Sequence, residues 1–293
     1  MNFANITDWI IPEGTVTQVT DNLNRVIWQK TQPVPPSTNT YFYVEDISGS
    51  ANTLTIRKQL SGAPTITVYY STDQQNWSSM GSTDTTGITT TIPANGKLYL
   101  KCTTNAWYNS EPNIITATGN YNVGGNIMSL LYGDDFEDKT TFPTGSDSNF
   151  RGLFVSCLTV INANNLILPT STTNCCYQNM FSSCRNLTTA PALPATTMTN
   201  ACYEKMFYGC TSLTTAPILP ATTLAIICYE GMFNGCTNLN SVTTYAQDIS
   251  ATNCIANWLK NVAATGDFYN LGGATYTSGA DGIPTGWTVH TSL

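Results

Sequence analysis

The clearest hydrophobic pattern lies in the second half of the chain and repeats every 26 residues. Cys176, Cys202, Cys228 and Cys254 keep that spacing, as do Met180, Met206 and Met232, Phe181, Phe207 and Phe233, and Leu187, Leu213 and Leu239. A second cysteine series, Cys157, Cys184, Cys210 and Cys236, steps by 27, 26 and 26 residues. Within one unit, Cys202, Met206 and Cys210 stand at i, i+4 and i+8, the spacing of one helical face, and Phe207 widens that face. Gly209 and Gly235 come near the end of the segment, where a left-handed residue stops a helix at little cost. Leu213 to Pro217 then predicts a short strand, and Pro217 and Pro220 bar any continued ladder or helix. Each unit therefore predicts a strand, a Pro-rich turn and a short helix. One unit cannot bury its own apolar face, but stacked units can. Helical segments are predicted at 149–157, 176–184, 202–210, 228–236 and 254–262. The outer two are irregular: Leu153 and Phe154 fill the Met and Phe positions of the first. Trp258 and Leu259 fill them in the last, where Val262 replaces the second cysteine. The segment Gly282 to Val289 is expected to close the last unit.

The first half carries a period of two. Val16 and Val19, then Val26, Ile27 and Trp28, flank a polar turn at Asp21-Asn22 and predict a hairpin. A lone hairpin is only marginally stable, so it must dock on a partner or a second copy. Pro33-Val34-Pro35-Pro36-Ser37 reads as a stiff linker. Between 38 and 120, Leu54 and Ile56, then Ile66, Val68 and Tyr70, then Leu98, Leu100 and Cys102 alternate with polar residues. Asn95-Gly96 predicts a hairpin turn, and Trp77 and Trp107 are expected in the core. Strands at this spacing predict an immunoglobulin-like β-sandwich. Residues 121–148 would connect and cap. The expected fold is multi-domain and mainly β: a hairpin module over 1–32, the linker 33–37, the sandwich 38–120 and the connector 121–148. A leucine-rich-repeat α/β solenoid of about five coils follows over 149–262, with a C-terminal cap over 263–293.

Charge narrows the function classes. Only 10% of residues are charged and the net charge is −7. Nucleic-acid binding, which needs clustered Lys and Arg, is therefore not expected. Mean hydropathy is −0.09, so the surface is rich in uncharged Thr, Ser and Asn. No apolar stretch approaches the roughly 20 residues of a membrane span, and the N-terminus lacks a secretion-signal pattern. The cysteine ladders read as a core stack, since a free Cys behaves as a small buried apolar residue. Zinc would need four converging ligands, and disulfides between neighbouring coils are the remaining alternative. Cys102 and Cys175 lie outside both ladders.

Catalytic chemistry is hard to assemble. His290 is the sole histidine, and no phosphate loop or dinucleotide fingerprint occurs. The run Asp134-Asp135-Phe136-Glu137-Asp138 could bind calcium or act as paired carboxylates, but a solvated acidic turn is the simpler reading. No enzyme activity, cofactor or metal is expected. Stacked strands would bring Thr188, Thr189, Thr214, Thr215, Asn240 and Ser241 into an uncharged hydroxyl and amide face able to hydrogen-bond sugars.

The phrase Met-Phe-x-Gly-Cys-x-x-Leu at 206–213 and 232–239 resembles the BspA-type leucine-rich repeat of gut Bacteroides surface proteins. The form with Cys-Tyr before it and Leu-Thr-Thr-Ala-Pro-x-Leu-Pro-Ala-Thr-Thr after it is similar to repeats in gut phages of those bacteria, including crass-like phages. Val123 to Gly133, Tyr69 to Trp77 and the ending Gly282 to Val289 share the resemblance. It implies a virion protein of head-fibre, tail-fibre or capsid-decoration type, assembled in the host cytoplasm and displayed on the particle surface. Val16, Val19, Val26 and Trp28 would anchor it to capsid or tail proteins or to sister chains, as a dimer or trimer. The solenoid would adhere to host or gut polysaccharide, with no membrane insertion. The alternative is a bacterial cell-surface adhesin.

Overall fold

The computed structural model describes residues 18–20, 26–29, 39–102, 112–143 and 145–292. The chain divides into two compact units, Met1–Pro35 and Pro36–Leu293. In the first, β1 (Gln18–Thr20) pairs antiparallel with β2 (Val26–Gln29), with Val19 opposite Trp28 and Thr20 opposite Val26. Val16, the Pro-rich linker and Trp107 lie outside the described residues.

The larger unit is mainly β and contains several sheets. Its strands are β3 (Tyr43–Asp46), β4 (Asn52–Lys58), β5 (Thr67–Ser71), β6 (Ser78–Ser82), β7 (Ile88–Ile92) and β8 (Lys97–Cys102). They continue with β9 (Asn113–Ala117), β10 (Tyr121–Asn126), β11 (Val160–Ile167), β12 (Ser241–Thr244), β13 (Gly266–Asn270) and β14 (Trp287–His290). One three-stranded sheet has the order β7-β4-β9, and a six-stranded sheet has the order β11-β10-β3-β8-β5-β6. The alternation read from sequence becomes a shared core. Leu54 and Ile56 of the smaller sheet and Val44, Val68, Leu98 and Leu100 of the larger one are all fully buried. The six-stranded sheet runs across the expected boundaries at 120/121 and 148/149. β10 pairs antiparallel with β3 on one side and parallel with β11 on the other.

Two expectations for this region need correction. The Asn95-Gly96 turn does not close a hairpin, because β7 and β8 belong to different sheets. Pro93 ends the β7 ladder and its carbonyl accepts the Gly96 N–H at 3.0 Å. The corner is then tied to β3. The buried Asp46 carboxylate accepts N–H groups from Asn95 at 2.8 Å, Ser48 at 3.0 Å and Gly49 at 3.0 Å, and the Ser48 hydroxyl at 2.7 Å. Burial alone would raise the Asp46 pKa. The Asn95, Ser48 and Gly49 donors outweigh burial and lower it from 3.8 to about 2. A depressed carboxylate adds stability above its unfolded pKa and loses it as pH falls through the folded one. Asp46→Asn should cost about 2 kcal/mol at neutral pH. In denaturant titrations across pH, the gap between variant and wild type should close as pH drops from 4 towards 2. The second correction concerns Trp77, which is half-buried at the surface and not in the core.

From residue 148 onward the chain forms five successive rungs lying one on another. The α-helices expected at 149–157, 176–184, 202–210, 228–236 and 254–262 do not form. Among the described residues the only α-helix is α1 (Ser129–Tyr132). Each expected helix is instead a ribbon that turns every four residues. A left-handed residue marks each turn: Ala201, Lys205 and Gly209 in one rung, Ile227, Gly231 and Gly235 in the next, Asn253, Asn257 and Asn261 in the last. Spacing at i, i+4 and i+8 fits a four-residue turn as well as a 3.6-residue helix. Hydrogen bonding decides between them. An α-helix satisfies its N–H groups internally. Here alternate N–H groups reach the next rung: Tyr203 to the Cys228 carbonyl at 3.1 Å, Lys205 to Glu230 at 2.8 Å, Phe207 to Met232 at 3.0 Å. The intervening ones, such as Met206 to Tyr203 at 3.1 Å, close turns within the rung. Every second amide thus cross-links the stack.

Side chains repeat the register. Phe154, Phe181, Phe207 and Phe233 stack with centroids 5.0, 5.8 and 5.6 Å apart. Tyr177, Tyr203 and Tyr229 form a second column at 5.4 and 6.1 Å, continued by Trp258 and then Tyr276. Both cysteine ladders are buried. The second has a polar task as well. Cys184, Cys210 and Cys236 donate their thiols to the carbonyls of Phe154, Phe181 and Phe207 in the preceding rung, at 2.9, 3.1 and 3.0 Å. Prolines 191, 194, 217 and 220 reduce the strands of the middle rungs to isolated bridges. Where prolines are absent, β12, β13 and β14 form a three-stranded parallel sheet.

Candidate functional site

The acidic run meets the aromatic residues at one end of the six-stranded sheet. Three elements build the site. A turn between β5 and β6 is folded by its own side chains. Asp73 accepts the N–H groups of Gln75 and Asn76 at 2.9 and 2.8 Å and the Ser71 hydroxyl at 2.9 Å. That turn presents Trp77. Tyr41 enters just before β3, its N–H bonded to the Gln74 side chain at 3.2 Å and its backbone bridged to Asn126. After α1, Gly133 adopts φ +59° and turns the chain so that Phe136 is buried while Asp134 faces outward. Buried Ser129 fixes α1 in place. Its hydroxyl accepts the Phe42 N–H at 3.0 Å and donates to the Leu100 carbonyl at 2.9 Å.

The polar centre is Asp134. One of its oxygens accepts from Lys101 Nζ and from the Tyr41 hydroxyl, each at 2.6 Å. The Lys101 side chain is 11% exposed and that of Asp134 is 66% exposed, so the pair spans the boundary between core and solvent. Lys101 also lies 4.2 Å from the Trp77 ring centre. The Tyr41 ring contacts Trp77 at 4.7 Å and Phe136 at 4.5 Å. The Lys101 and Tyr41 bonds lower the Asp134 pKa and keep it a carboxylate. Burial and the same Asp134 bond push the Tyr41 hydroxyl pKa well up. An ionised Asp134 is suited to accepting hydrogen bonds; a proton donor would need a raised pKa.

Two adjoining clefts open here. One, of about 480 Å³, is lined by Tyr69, Trp77, Lys101, Tyr132, Gly133, Asp134 and Asp135. The other, of about 410 Å³, is lined by Tyr132, Asp134, Asp135, Glu137, Asp138 and Lys139. Among the described residues no group of three or more His, Cys, Asp or Glu side chains is arranged to hold a metal ion.

The residues expected to face a ligand divide into two groups. Thr214, Thr215, Asn240 and Ser241 come together: the Asn240 N–H bonds to the Thr214 carbonyl at 2.9 Å, and Thr215 bridges Ser241. Thr188 and Thr189 pair in the other direction, with Ile161 and Asn162 of β11, and the Thr188 hydroxyl is spent on the Ile161 carbonyl at 2.9 Å. All six are exposed except Ser241, which is half-buried. Val19, Val26 and Trp28 lie on β1 and β2. His290 ends β14. Its Nε2 lies 2.7 Å from Asp267 Oδ1, and its ring stacks on Tyr269 at 4.7 Å. Sequence reasoning passed over Tyr41 and Lys101. The available signal was a lysine set in the otherwise apolar end of β8.

No family model, curated protein or solved structure matches the chain.

Proposed function

We propose that this chain is a non-enzymatic, fibre-like structural protein of a phage particle, held by its N-terminal module and presenting the rung stack for adhesion to surface glycans. The observation that carries the reading is the stack itself. Alternate amides and two aromatic columns cross-link each rung to the next, which makes a stiff element. On this reading the stack is a leucine-rich-repeat solenoid and the paired sheets before it are an immunoglobulin-like spacer. Its exposed threonine and asparagine face matches the hydroxyl chemistry of sugars. The form of the repeat with Cys-Tyr before Met-Phe and Leu-Thr-Thr-Ala-Pro-x-Leu-Pro-Ala-Thr-Thr after it, similar to repeats of gut phages, supports the particle over the bacterial surface. The β1–β2 hairpin, too small to be stable alone, supports an anchoring role in which Val16, Val19, Val26 and Trp28 meet capsid or tail proteins or sister chains.

Deleting residues 1–31 should abolish incorporation into particles while leaving the larger unit folded. Normal incorporation of the truncated chain, measured by quantitative mass spectrometry of purified particles, would refute the anchor.

A further inference from the structure

We propose that the cleft between Trp77 and Asp134 binds an uncharged pyranose unit of a glycan, at a site separate from the threonine face. The proposal goes beyond the adhesion assigned to the rungs and stands whether or not the chain belongs to a particle.

Three features carry it. The cleft has the volume usual for small-ligand sites. Its walls are Tyr69, Trp77 and Tyr132, each half-buried, so part of each ring meets solvent, while Lys101 at 4.2 Å and Tyr41 at 4.7 Å pack against Trp77 and hold it. Such surface is dewetted by the C–H face of a pyranose, a ligand apolar on one face and hydroxylated at its edge. The third feature is a fixed acceptor. Lys101 and Tyr41 hold the same oxygen of Asp134, each at 2.6 Å, and leave most of the side chain exposed. A sugar hydroxyl donating to this carboxylate gains a charge-assisted bond, and the acceptor loses little freedom on binding.

The same geometry sets specificity. Asp135, Glu137 and Asp138 line the adjoining cleft and outnumber Lys139, so uronates and sialic acids are repelled at the rim. A free amine would be drawn to those carboxylates, but at Asp134 it would meet the Lys101 ammonium already bonded there. An uncharged hexose or N-acetylhexosamine fits both the rings and the charge.

The test uses the full chain on an immobilised array of neutral, N-acetylated, uronate-bearing and sialylated oligosaccharides, with chitosan oligomers as the amine probe. Calorimetry with the best neutral oligosaccharide follows. Trp77→Ala should weaken binding about tenfold and Trp77→Phe should restore part of the loss. Asp134→Asn should weaken it several-fold, and Tyr208→Ala, at an exposed rung residue named in neither site, should leave it unchanged. Melting temperatures establish that the variants fold. If Trp77→Ala does not, Tyr69→Ala in the same cleft supplies the same comparison. A preference for uronate, sialylated or chitosan probes would overturn the proposal. So would neutral-sugar binding insensitive to Trp77 and Tyr69, equal loss through Tyr208→Ala, or no glycan bound at all.

Discussion

Phe207→Ala should destabilise the protein by about 3–5 kcal/mol, a large part of the 5–15 kcal/mol that holds a typical domain folded. Phe207 is fully buried, with Phe181 at 5.8 Å on one side and Phe233 at 5.6 Å on the other. Removing its ring opens a void against both neighbours. The void cannot collapse easily, because the backbone on each side is fixed by amides bonded to the next rung. In a stacked array, stability is a sum over rungs and their interfaces. The damage should therefore be local in space as well as large. Denaturant melts should show the loss, and hydrogen exchange should show protection falling first in the rungs of Phe181 and Phe233. Tyr208, the next residue, is 40% exposed, and Tyr208→Ala should stay within about 0.5 kcal/mol. Equal effects at 207 and 208 would contradict the inward and outward assignment of the ribbon.

Gly125→Ala should cost about 4 kcal/mol and displace Tyr41. Gly125 has φ +74°, and a Cβ there would overlap the Tyr41 carbonyl group. Conformational strain accounts for about 1–2 kcal/mol of that, and the backbone overlap for the rest. Gly145 separates the two terms. It has the same φ, +74°, but nothing lies within 4 Å of its added Cβ. Gly145→Ala should lose only the strain. Because Tyr41 shares Asp134 with Lys101, Gly125→Ala should also weaken any ligand held in the cleft, whereas Gly145→Ala should not. Similar melting temperatures for the two variants would show that Gly125 and Tyr41 do not approach so closely.

The sequence revealed how the rungs repeat but not how their backbone runs. Cys202, Met206 and Cys210 fix which side of the ribbon is buried, and any conformation turning once in about four residues satisfies them. What separates a helix from a stacked turn is the residue at each corner. Asn253, Asn257 and Asn261, with Gly231 and Gly235, mark a strict spacing of four by types that tolerate positive φ. Gly209 and Gly235 read instead as helix stops. Ala201, Lys205 and Ile227 occupy the same corners and obscure the signal. There the inter-rung amide bonds outweigh local preference. The strands of the first half were legible because Leu54, Ile56, Leu98 and Leu100 alternate cleanly. Their assignment to sheets was not, since the Asn95-Gly96 turn looks the same in a hairpin and at a corner. The cleft was least legible. Tyr41, Trp77, Lys101 and Asp134 come from four separate segments. Only the acidic run stood out, and its partners were hidden among residues that also serve as core.

The most direct test is to examine purified particles of a phage carrying the gene, by mass spectrometry and cryo-electron microscopy. We expect this chain among the virion proteins, with density for stacked rungs projecting from the surface and residues 1–31 at its base. Particles that lack the chain, with the protein found on the bacterial surface, would contradict the assignment and favour a cellular adhesin.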